Sequence, residues 1–375
     1  MTIRVAIIGA GIMGAAAAYA LSRRGAEVTI FEQFAARHDR GSSHGATRLY
    51  RTAYFEHPDY VPILKRAAAG WRELERESGE TLLEMCGVFM AGMPENPLIS
   101  GTVGAAEKHG LSLQRITRNE ASWRFPWFAL DPAMETLIEP EAGFIYASKA
   151  HTALLSGAKA HGAALHENRP IDKWDVASAD VGITVDGQRR GFDKIILTPG
   201  AFAGSLKGLG ERLVKPMRKK LYWTSPENQG FTLPIGFLPF GIEEPDGRFF
   251  YGFPAVDSDG VKVGEHTGGA ALTNPDDDAI DYSDQAGRDI ADFLQRRAPG
   301  LSSTTTKEQS CLYAMSPDGH FIIDLHPDDE RIVFAMGFSG HGFKFAPVIG
   351  EALADLAFTG ETIKEFDFLK PERFS

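Results

Sequence analysis

Apolar residues in this chain fall into runs with two periods. Ile3-Arg4-Val5-Ala6-Ile7-Ile8 is a β-branched run of strand length. Gly9-Ala10-Gly11-Ile12-Met13-Gly14 follows at once. Residues 15–24 are then good helix formers, closed by Gly25. Glu27-Val28-Thr29-Ile30-Phe31 is a second strand, and Glu32 stands at its end. The pattern predicts strand, glycine turn, helix, strand and acid, in that order.

Further along, Tyr60, Leu64, Ala67, Trp71 and Leu74 recur at spacings of 4, 3, 4 and 3. They predict an amphipathic helix over 58–77 with these residues in the core. Residues 84–142 mix short strands with a helix near 103–109, and 150–161 predicts another helix. Residues 192–201 read as a buried strand running into a small-residue turn. Residues 216–253 alternate and are rich in Phe and Tyr, which predicts an antiparallel sheet. Asp276-Asp277-Asp278 reads as a solvated helix start, because no ligand-loop pattern follows it. Strands are predicted over 321–324 and 331–335. A glycine turn over 337–344 then leads into a closing helix with Phe345, Val348, Ile349, Ala352, Leu353 and Leu356 on its apolar face. A strand, glycine turn and helix at both ends predict one nucleotide domain assembled from both ends, with a sheet-rich middle as a separate substrate domain.

The opening turn carries specific chemistry. Gly9 permits the tight turn, Gly11 lets the backbone approach a pyrophosphate, and Gly14 lets the helix pack closely on the sheet. The helix N-terminus offers free N–H groups and a positive dipole end to phosphates. Glu32 accepts from a ribose hydroxyl, which favours an unphosphorylated ribose and so FAD or NAD over NADP. Two readings compete for the uncharged residues 5–21. A secretory signal is one, with Ala18-Tyr19-Ala20 as its cleavage site. A membrane span is the other, but it is short for ~30 Å of hydrocarbon and interrupted by glycines. The second strand and its terminal acid argue against both.

Composition narrows the class. At 375 residues, with 43% hydrophobic and 24% charged residues, the chain is long enough for two to three domains and is not disordered. Two cysteines exclude a disulfide framework, and a net charge of −11 argues against broad nucleic-acid binding. Glycine is in excess, 40 of 375, or about 11% against a usual ~7%.

Several other chemistries fit poorly. Gly337-Phe338-Ser339-Gly340-His341 has the context of a nucleophile elbow but ends in His rather than Gly. The 11 histidines show no His-x-x-x-His pattern and the cysteines no Cys-x-x-Cys, so no metal site is expected. Better organised are cations and ring donors near glycine turns: His44, Arg48, Arg51, Lys262, His266 and Lys344. A flavin that accepts a hydride gains negative charge at its N1–C2=O edge, and a cation or helix N-terminus such as the Gly340-His341-Gly342 turn stabilises it. Arginine binds a carboxylate bidentately. Cys86 reads as a small buried hydrophobe, whereas Cys311 stands beside polar residues.

Six segments carry a family resemblance: Gly41-Ser42-Ser43-His44-Gly45-Ala46-Thr47-Arg48, Tyr251-Gly252-Phe253-Pro254, Val261-Lys262-Val263-Gly264-Glu265-His266, Ser310-Cys311-Leu312-Tyr313, His320-Phe321-Ile322-Ile323-Asp324-Leu325-His326-Pro327 and Gly337-Phe338-Ser339-Gly340-His341-Gly342-Phe343-Lys344-Phe345. On these, the chain resembles the monomeric sarcosine oxidase and N-methyltryptophan oxidase group of FAD-dependent amine oxidases, over essentially its whole length.

The resemblance implies a mixed α/β (α+β) fold. A Rossmann-type FAD-binding domain of the D-amino-acid-oxidase and glutathione-reductase-like kind would comprise 1–83, 143–215 and 312–375. An antiparallel-sheet substrate domain would comprise 84–142 and 216–311. Cys311 would carry FAD through a thioether to the flavin 8α-methyl. Arg51 and Lys344 would bind the substrate carboxylate. His44, Thr47 and Arg48 would line the flavin ring, with Ser42, Gly340 and Gly342 also at the cofactor. Lys262 would help reduced flavin react with oxygen. Tyr251, His266 and Tyr313 would shape the pocket above the ring, and Ile171 and residues 198–200, Gly200 among them, would help enclose the FAD.

The implied reaction is oxidation of a secondary amino acid by flavin, hydrolysis of the imine, and reduction of O2 to hydrogen peroxide. A noncovalent FAD oxidase or dehydrogenase of the same fold is the nearest alternative, and an NAD-dependent dehydrogenase a further one. Two departures stand out. Ala46 replaces a common Asp, and Phe55-Glu56-His57-Pro58 replaces a more glycine-rich turn, which leaves the amine side chain open. A cytoplasmic monomer is expected, with no nucleic-acid, membrane or metal partner.

Overall fold

The computed structural model describes residues 2–205, 209–224, 231–277 and 280–374. The β-branched opening run forms β1 (Arg4–Ile8), buried from Val5 onward. It lies inside a six-stranded sheet, parallel to β2 (Glu27–Phe31) on one side and to Lys194–Leu197 on the other. Asp329–Met336 and Ala164–His166 extend the parallel set. Ile322–His326 adds an antiparallel edge. Segments from both ends and the middle of the chain thus share one sheet.

Helix α1 (Ile12–Arg23) is buried from Ile12 to Ser22. It is sandwiched by the helices Ala147–Ala160 and Ala346–Thr359. Small residues make the approach possible. A Cβ at Gly350 would lie 2.5 Å from the Ala16 carbonyl. Helix α1 starts three residues earlier than the composition predicts, with Gly11 as its N-cap.

A nine-stranded sheet forms the other layer. Its path runs Ala270–Ala271, Lys215–Thr224, Val261–Glu265, Phe249–Phe253, Phe240–Glu243, Val88–Gly92, Glu135–Glu139 and Gln114–Ile116. Thr305–Met315 pairs along the other edge of Lys215–Thr224. The predicted antiparallel order holds except where Phe240–Glu243 runs parallel to Val88–Gly92. Helix Ile280–Arg297 covers this sheet, and Phe293 stacks on Phe250 at 4.3 Å. The acidic run before it is described only through Asp277; Asp278 lies outside the described residues.

Three predicted bounds need correction. The helix expected near 103–109 is Pro97–His109, because Pro97 suits a first helical turn that periodicity alone does not mark. The helix expected over 150–161 begins at Ala147. The run 192–201 is not one strand. Phe192 ends an antiparallel strand, Gln188–Phe192, of a separate three-stranded sheet. Asp193, held by the Arg4 N–H at 2.8 Å, then turns the chain into Lys194–Leu197.

The amphipathic helix is α2 (Tyr60–Ser78), with Tyr60, Leu64, Ala67, Trp71 and Leu74 all buried. A short strand, β3 (Thr47–Tyr50), pairs with Gly143–Tyr146 and carries Thr47 and Arg48 toward the space between the two large sheets. Among the described residues, no helix is long and apolar enough to cross a membrane.

Candidate active site

The turn after β1 is built as its glycines require. Gly9 has φ +98°, and a Cβ there would lie 2.5 Å from the Thr198 carbonyl. At Gly14 a Cβ would lie 1.9 Å from the Gly9 carbonyl. Glu32 fixes this turn from below. Its carboxylate accepts the Ala10 N–H at 2.8 Å and the Phe34 N–H at 3.0 Å. His151 Nε2 meets the Ala10 carbonyl at 2.7 Å. Sequence reasoning singles out Ser42, whose hydroxyl bonds the Leu312 carbonyl. It is Ser43 that accepts the Ile12 N–H at 2.9 Å, at the first turn of α1. The loop reads as polar in sequence, but nothing in it says which hydroxyl faces the helix.

From this turn a cleft of about 1190 Å³, partly open to solvent, runs between the two sheets. Most of the expected site residues converge on it. Gly11, Ser42, Thr47, Arg48 and Gly200 line one part. Arg51, Tyr251, Lys262, His266, Cys311, Tyr313, Gly340, Gly342 and Lys344 line the rest. Three expected residues build the turn itself rather than the cleft wall: Gly9, Gly14 and, through its bond to Ala10, Glu32. His44 does not line the cleft, and both its ring nitrogens are buried. Ile171 is not in the cleft; it packs on the core near the loop whose Arg169 N–H donates to the Glu32 carbonyl at 2.8 Å.

Burial governs the electrostatics. Lys262 is 3% exposed, and its Nζ donates to the Thr47 carbonyl at 3.1 Å. Burial, reinforced by Arg48, lowers its pKa to about 7. Arg48 is pinned by the carbonyls of Ser42, His44 and Thr47 at 2.7, 2.6 and 2.9 Å. Lys344 donates to Tyr54 Oη at 3.0 Å and to the His341 carbonyl at 2.9 Å. Burial lowers it to about 7, while Glu56 pulls the other way. Desolvation holds His266 at about 3 and both His44 and His341 at about 4, so all three are neutral rings at pH 7.

Residues without a role in the sequence reading complete the network. His341 Nε2 lies 2.9 Å from the Gly319 carbonyl and must donate to it, so Nδ1 accepts from Tyr54 Oη at 2.7 Å. The Tyr54 oxygen then faces Lys344. Trp71, assigned to the core, is there, and its indole N–H also bonds the Lys344 carbonyl at 2.8 Å. Glu56 accepts from Arg51 Nη2 at 3.2 Å. Glu139 accepts the N–H groups of Thr52 and Ala53 at 2.6 and 2.7 Å, which fixes the backbone just after Arg51. The departure at Phe55-Glu56-His57-Pro58 was the one signal in the sequence that pointed to Glu56.

A parallel sheet with a glycine turn, opening onto a cation-lined cleft between two sheets, defines a dinucleotide-dependent redox enzyme. The chain belongs to the FAD dependent oxidoreductase family, whose pattern matches residues 4–356. It is 35% identical to monomeric sarcosine oxidase of Streptomyces avermitilis over 100% of this chain and 98% of that one. It is 32% identical to N-methyl-L-tryptophan oxidase of Yersinia pestis over 93% of each. Its fold is that of NikD, an unusual amino acid oxidase, in the Tyr258Phe form (TM-score 0.86, 22% identity, 99% and 97% coverage). It is also that of L-proline dehydrogenase from P. horikoshii (TM-score 0.83, 21% identity, 100% and 98% coverage).

The residues present fit FAD. Both His44 ring nitrogens, Thr47 Oγ1 and the Arg51 Nε and Nη1 atoms are buried without a protein partner. Buried polar groups are normally satisfied, so these mark where a polar ligand sits. Gly340 presses so close to the Tyr313 ring that a Cβ would lie 2.1 Å from it.

Proposed function

We propose that the protein oxidises a secondary amino acid, N-methyl or cyclic, with O2 reduced to hydrogen peroxide and with its FAD held covalently by Cys311. One observation carries the reading: Arg51, Lys262, Cys311 and Lys344, from four separate stretches of sequence, line a single cleft. The names of the curated relatives, a sarcosine oxidase and an N-methyl-L-tryptophan oxidase, support the same substrate class.

Bound FAD supplies the two-electron acceptor. The free N–H groups of the α1 turn receive its phosphates, and Glu32, with lone pairs left beside its two backbone bonds, accepts from the ribose. Ile171, Thr198 and Gly200 help enclose it. Ser42, Thr47, Arg48 and neutral His44 would border its ring, and Gly340 and Gly342 would offer it backbone N–H groups. In this division, 1–83, 143–215 and 312–375 hold the cofactor and 84–142 and 216–311 the substrate. Strands Lys215–Thr224 and Thr305–Met315 cross between the two.

Arg51 and Lys344 receive the substrate carboxylate. Arg51 keeps Nε and Nη1 free for a bidentate grip. Lys344 has two of its three N–H groups bonded, which leaves the third for the carboxylate. Tyr251, His266 and Tyr313 bound the side-chain space. His266, uncharged, leaves an amine beside it free of a like charge. Lys262 offers a positive charge to superoxide as oxygen is reduced.

Two assays test this. Peroxide release is measured with a panel of N-methyl and cyclic amino acids; no peroxide from any member rejects the oxidase reading. Acid precipitation then asks where the yellow colour goes. Flavin in the pellet for the unmodified protein, and in the supernatant for Cys311→Ser, is the expected result. Flavin in the supernatant for both removes Cys311 from its role.

A further inference from the structure

Lys219 is a buried cation that the proposed reaction does not use. It is 1% exposed, in the middle of strand Lys215–Thr224. Its Nζ donates to the His266 carbonyl at 2.6 Å and lies 5.0 Å above the centre of the Tyr313 ring. The acceptor is a neutral carbonyl, not a carboxylate. Burying an ammonium with so little compensation is costly, and an apolar side chain would fill the same space at less cost. The register explains the position. Lys219 stands directly opposite Cys311 in the antiparallel ladder, and directly opposed residues project from the same face. Cys311 sits in a small cluster with Leu221, Trp223 and Tyr313, and the Lys219 ammonium lies over the Tyr313 ring of that cluster.

We propose that Lys219 is a positioning residue for Cys311: its ammonium, on the same sheet face one strand away, favours the thiolate and so speeds covalent attachment of the flavin. This rests on the reading of Cys311 as the attachment point. Attachment breaks the S–H bond and one C–H bond of the 8α-methyl and forms a C–S bond. The two electrons pass to the flavin ring and on to dioxygen, which leaves with the two protons as hydrogen peroxide. The thiolate is the nucleophile in such steps. Burial pushes the Cys311 thiol up, and Arg48, Lys262, Lys219 and Arg218 oppose it. The phenols Tyr251 and Tyr313 pack in the same cluster as the thiol. Lys219 in turn feels burial first and Glu265 second. Arg48 and Lys262 stand at the cleft wall, so Lys219 adds charge from the opposite strand without occupying ligand space.

The test follows acid-stable flavin over time after FAD is added to protein made under riboflavin limitation. Noncovalent FAD binding is followed in parallel by its absorbance change. In Lys219→Met, attachment near neutral pH is expected to slow at least tenfold, with the midpoint of its pH profile moved upward. FAD binding before attachment is expected to stay unchanged, and Lys219→Arg is expected to restore the rate. Attachment in Lys219→Met at the unmodified rate with an unmoved midpoint overturns the proposal while leaving Cys311 in place. So does a Lys219→Arg protein as slow as Lys219→Met. If the unmodified protein never retains flavin in acid, the Cys311 reading fails and Lys219 falls with it. Failure of all variants to bind FAD at all overturns the positioning role in favour of a structural one.

Discussion

Both oxygens of the Glu56 carboxylate accept from Arg51 Nη2, at 3.2 and 3.3 Å. A carboxylate of the chain itself thus sits on the arginine proposed to receive the carboxylate of the substrate. Burial pushes the Glu56 pKa up, but Arg51, His341 and Lys344 outweigh it and bring it below the ordinary value. It is therefore charged at neutral pH and competes with any anionic ligand.

Glu56→Gln removes that competitor and leaves Arg51 as an uncompensated buried charge. A simple carboxylate such as propionate is expected to bind at least tenfold tighter, about 1.4 kcal/mol, when measured by flavin difference spectra. The ligand-free variant is expected to melt earlier than the unmodified protein, because breaking a buried pair exposes its cost. Unchanged propionate affinity would show that Glu56 does not contest the site.

The pH dependence of the same binding isolates Lys344. Its lowered pKa, about 7, means the ammonium is present below that pH and lost above it. Propionate affinity should be flat below pH 7 and fall by up to tenfold per pH unit above it. Lys344→Met should flatten the curve and weaken binding throughout. Glu139, raised to about 7 by burial, ionises in the same window and works in the same direction. Lys262, also lowered to about 7 in the same cleft, loses its charge in this window too, so Glu139→Gln and Lys262→Met controls separate the three. The histidines at about 3 and 4 change charge well outside it.

Lys262 is the residue proposed to act in the oxygen half of the cycle. Its Nζ is fixed to the Thr47 carbonyl and faces the rings of Phe253 and Trp223 at 5.1 and 5.8 Å. Removing one preorganised charge from a buried site costs about 10²–10³ in rate. Stopped-flow measurement should find reoxidation of the reduced Lys262→Met protein slowed on that order, with anaerobic reduction by substrate nearly unchanged. Equal slowing of both half-reactions would count against this assignment.

Much of this architecture was legible in the sequence, for identifiable reasons. The β1–α1–β2 unit is specified locally, since strand, turn, helix and acid are adjacent. Tyr60, Leu64, Ala67, Trp71 and Leu74 occupy one helical face, and all five are buried. The split at Asp193 was not legible, because its cause is a hydrogen bond to Arg4, 189 positions away. Lys219 and Glu139 were missed for a related reason. A lysine or glutamate in an alternating strand reads as solvent-facing, and only the ladder or the packing of a distant loop buries it. Ser43 was passed over because two adjacent serines carry no information on which one the fold turns inward.

Glycine substitutions separate the required positions from the tolerant ones. Gly14 lies in the first turn of α1, where alanine is intrinsically the better helix former by about 1 kcal/mol. A Cβ there would meet the Gly9 carbonyl at 1.9 Å and Thr198 Oγ1 at 2.8 Å. The first neighbour is backbone and cannot rotate away, so the turn itself must shift. Gly104, in the helix Pro97–His109, has nothing within 4 Å of an added Cβ and no left-handed backbone. One substitution therefore carries opposite signs at two helical sites. Gly104→Ala is expected to raise stability by roughly 0.5–1 kcal/mol in chemical denaturation. Gly14→Ala is expected to lower stability by about 1–3 kcal/mol, as overpacking does. In a Cys311→Ser background, where FAD can exchange, Gly14→Ala should also weaken FAD binding more than tenfold, because the displaced N–H groups are those proposed to meet the phosphates. Gly104→Ala should leave FAD binding unaltered. Equal effects of the two on FAD affinity would mean that the turn tolerates a side chain and that its close packing does not govern the site.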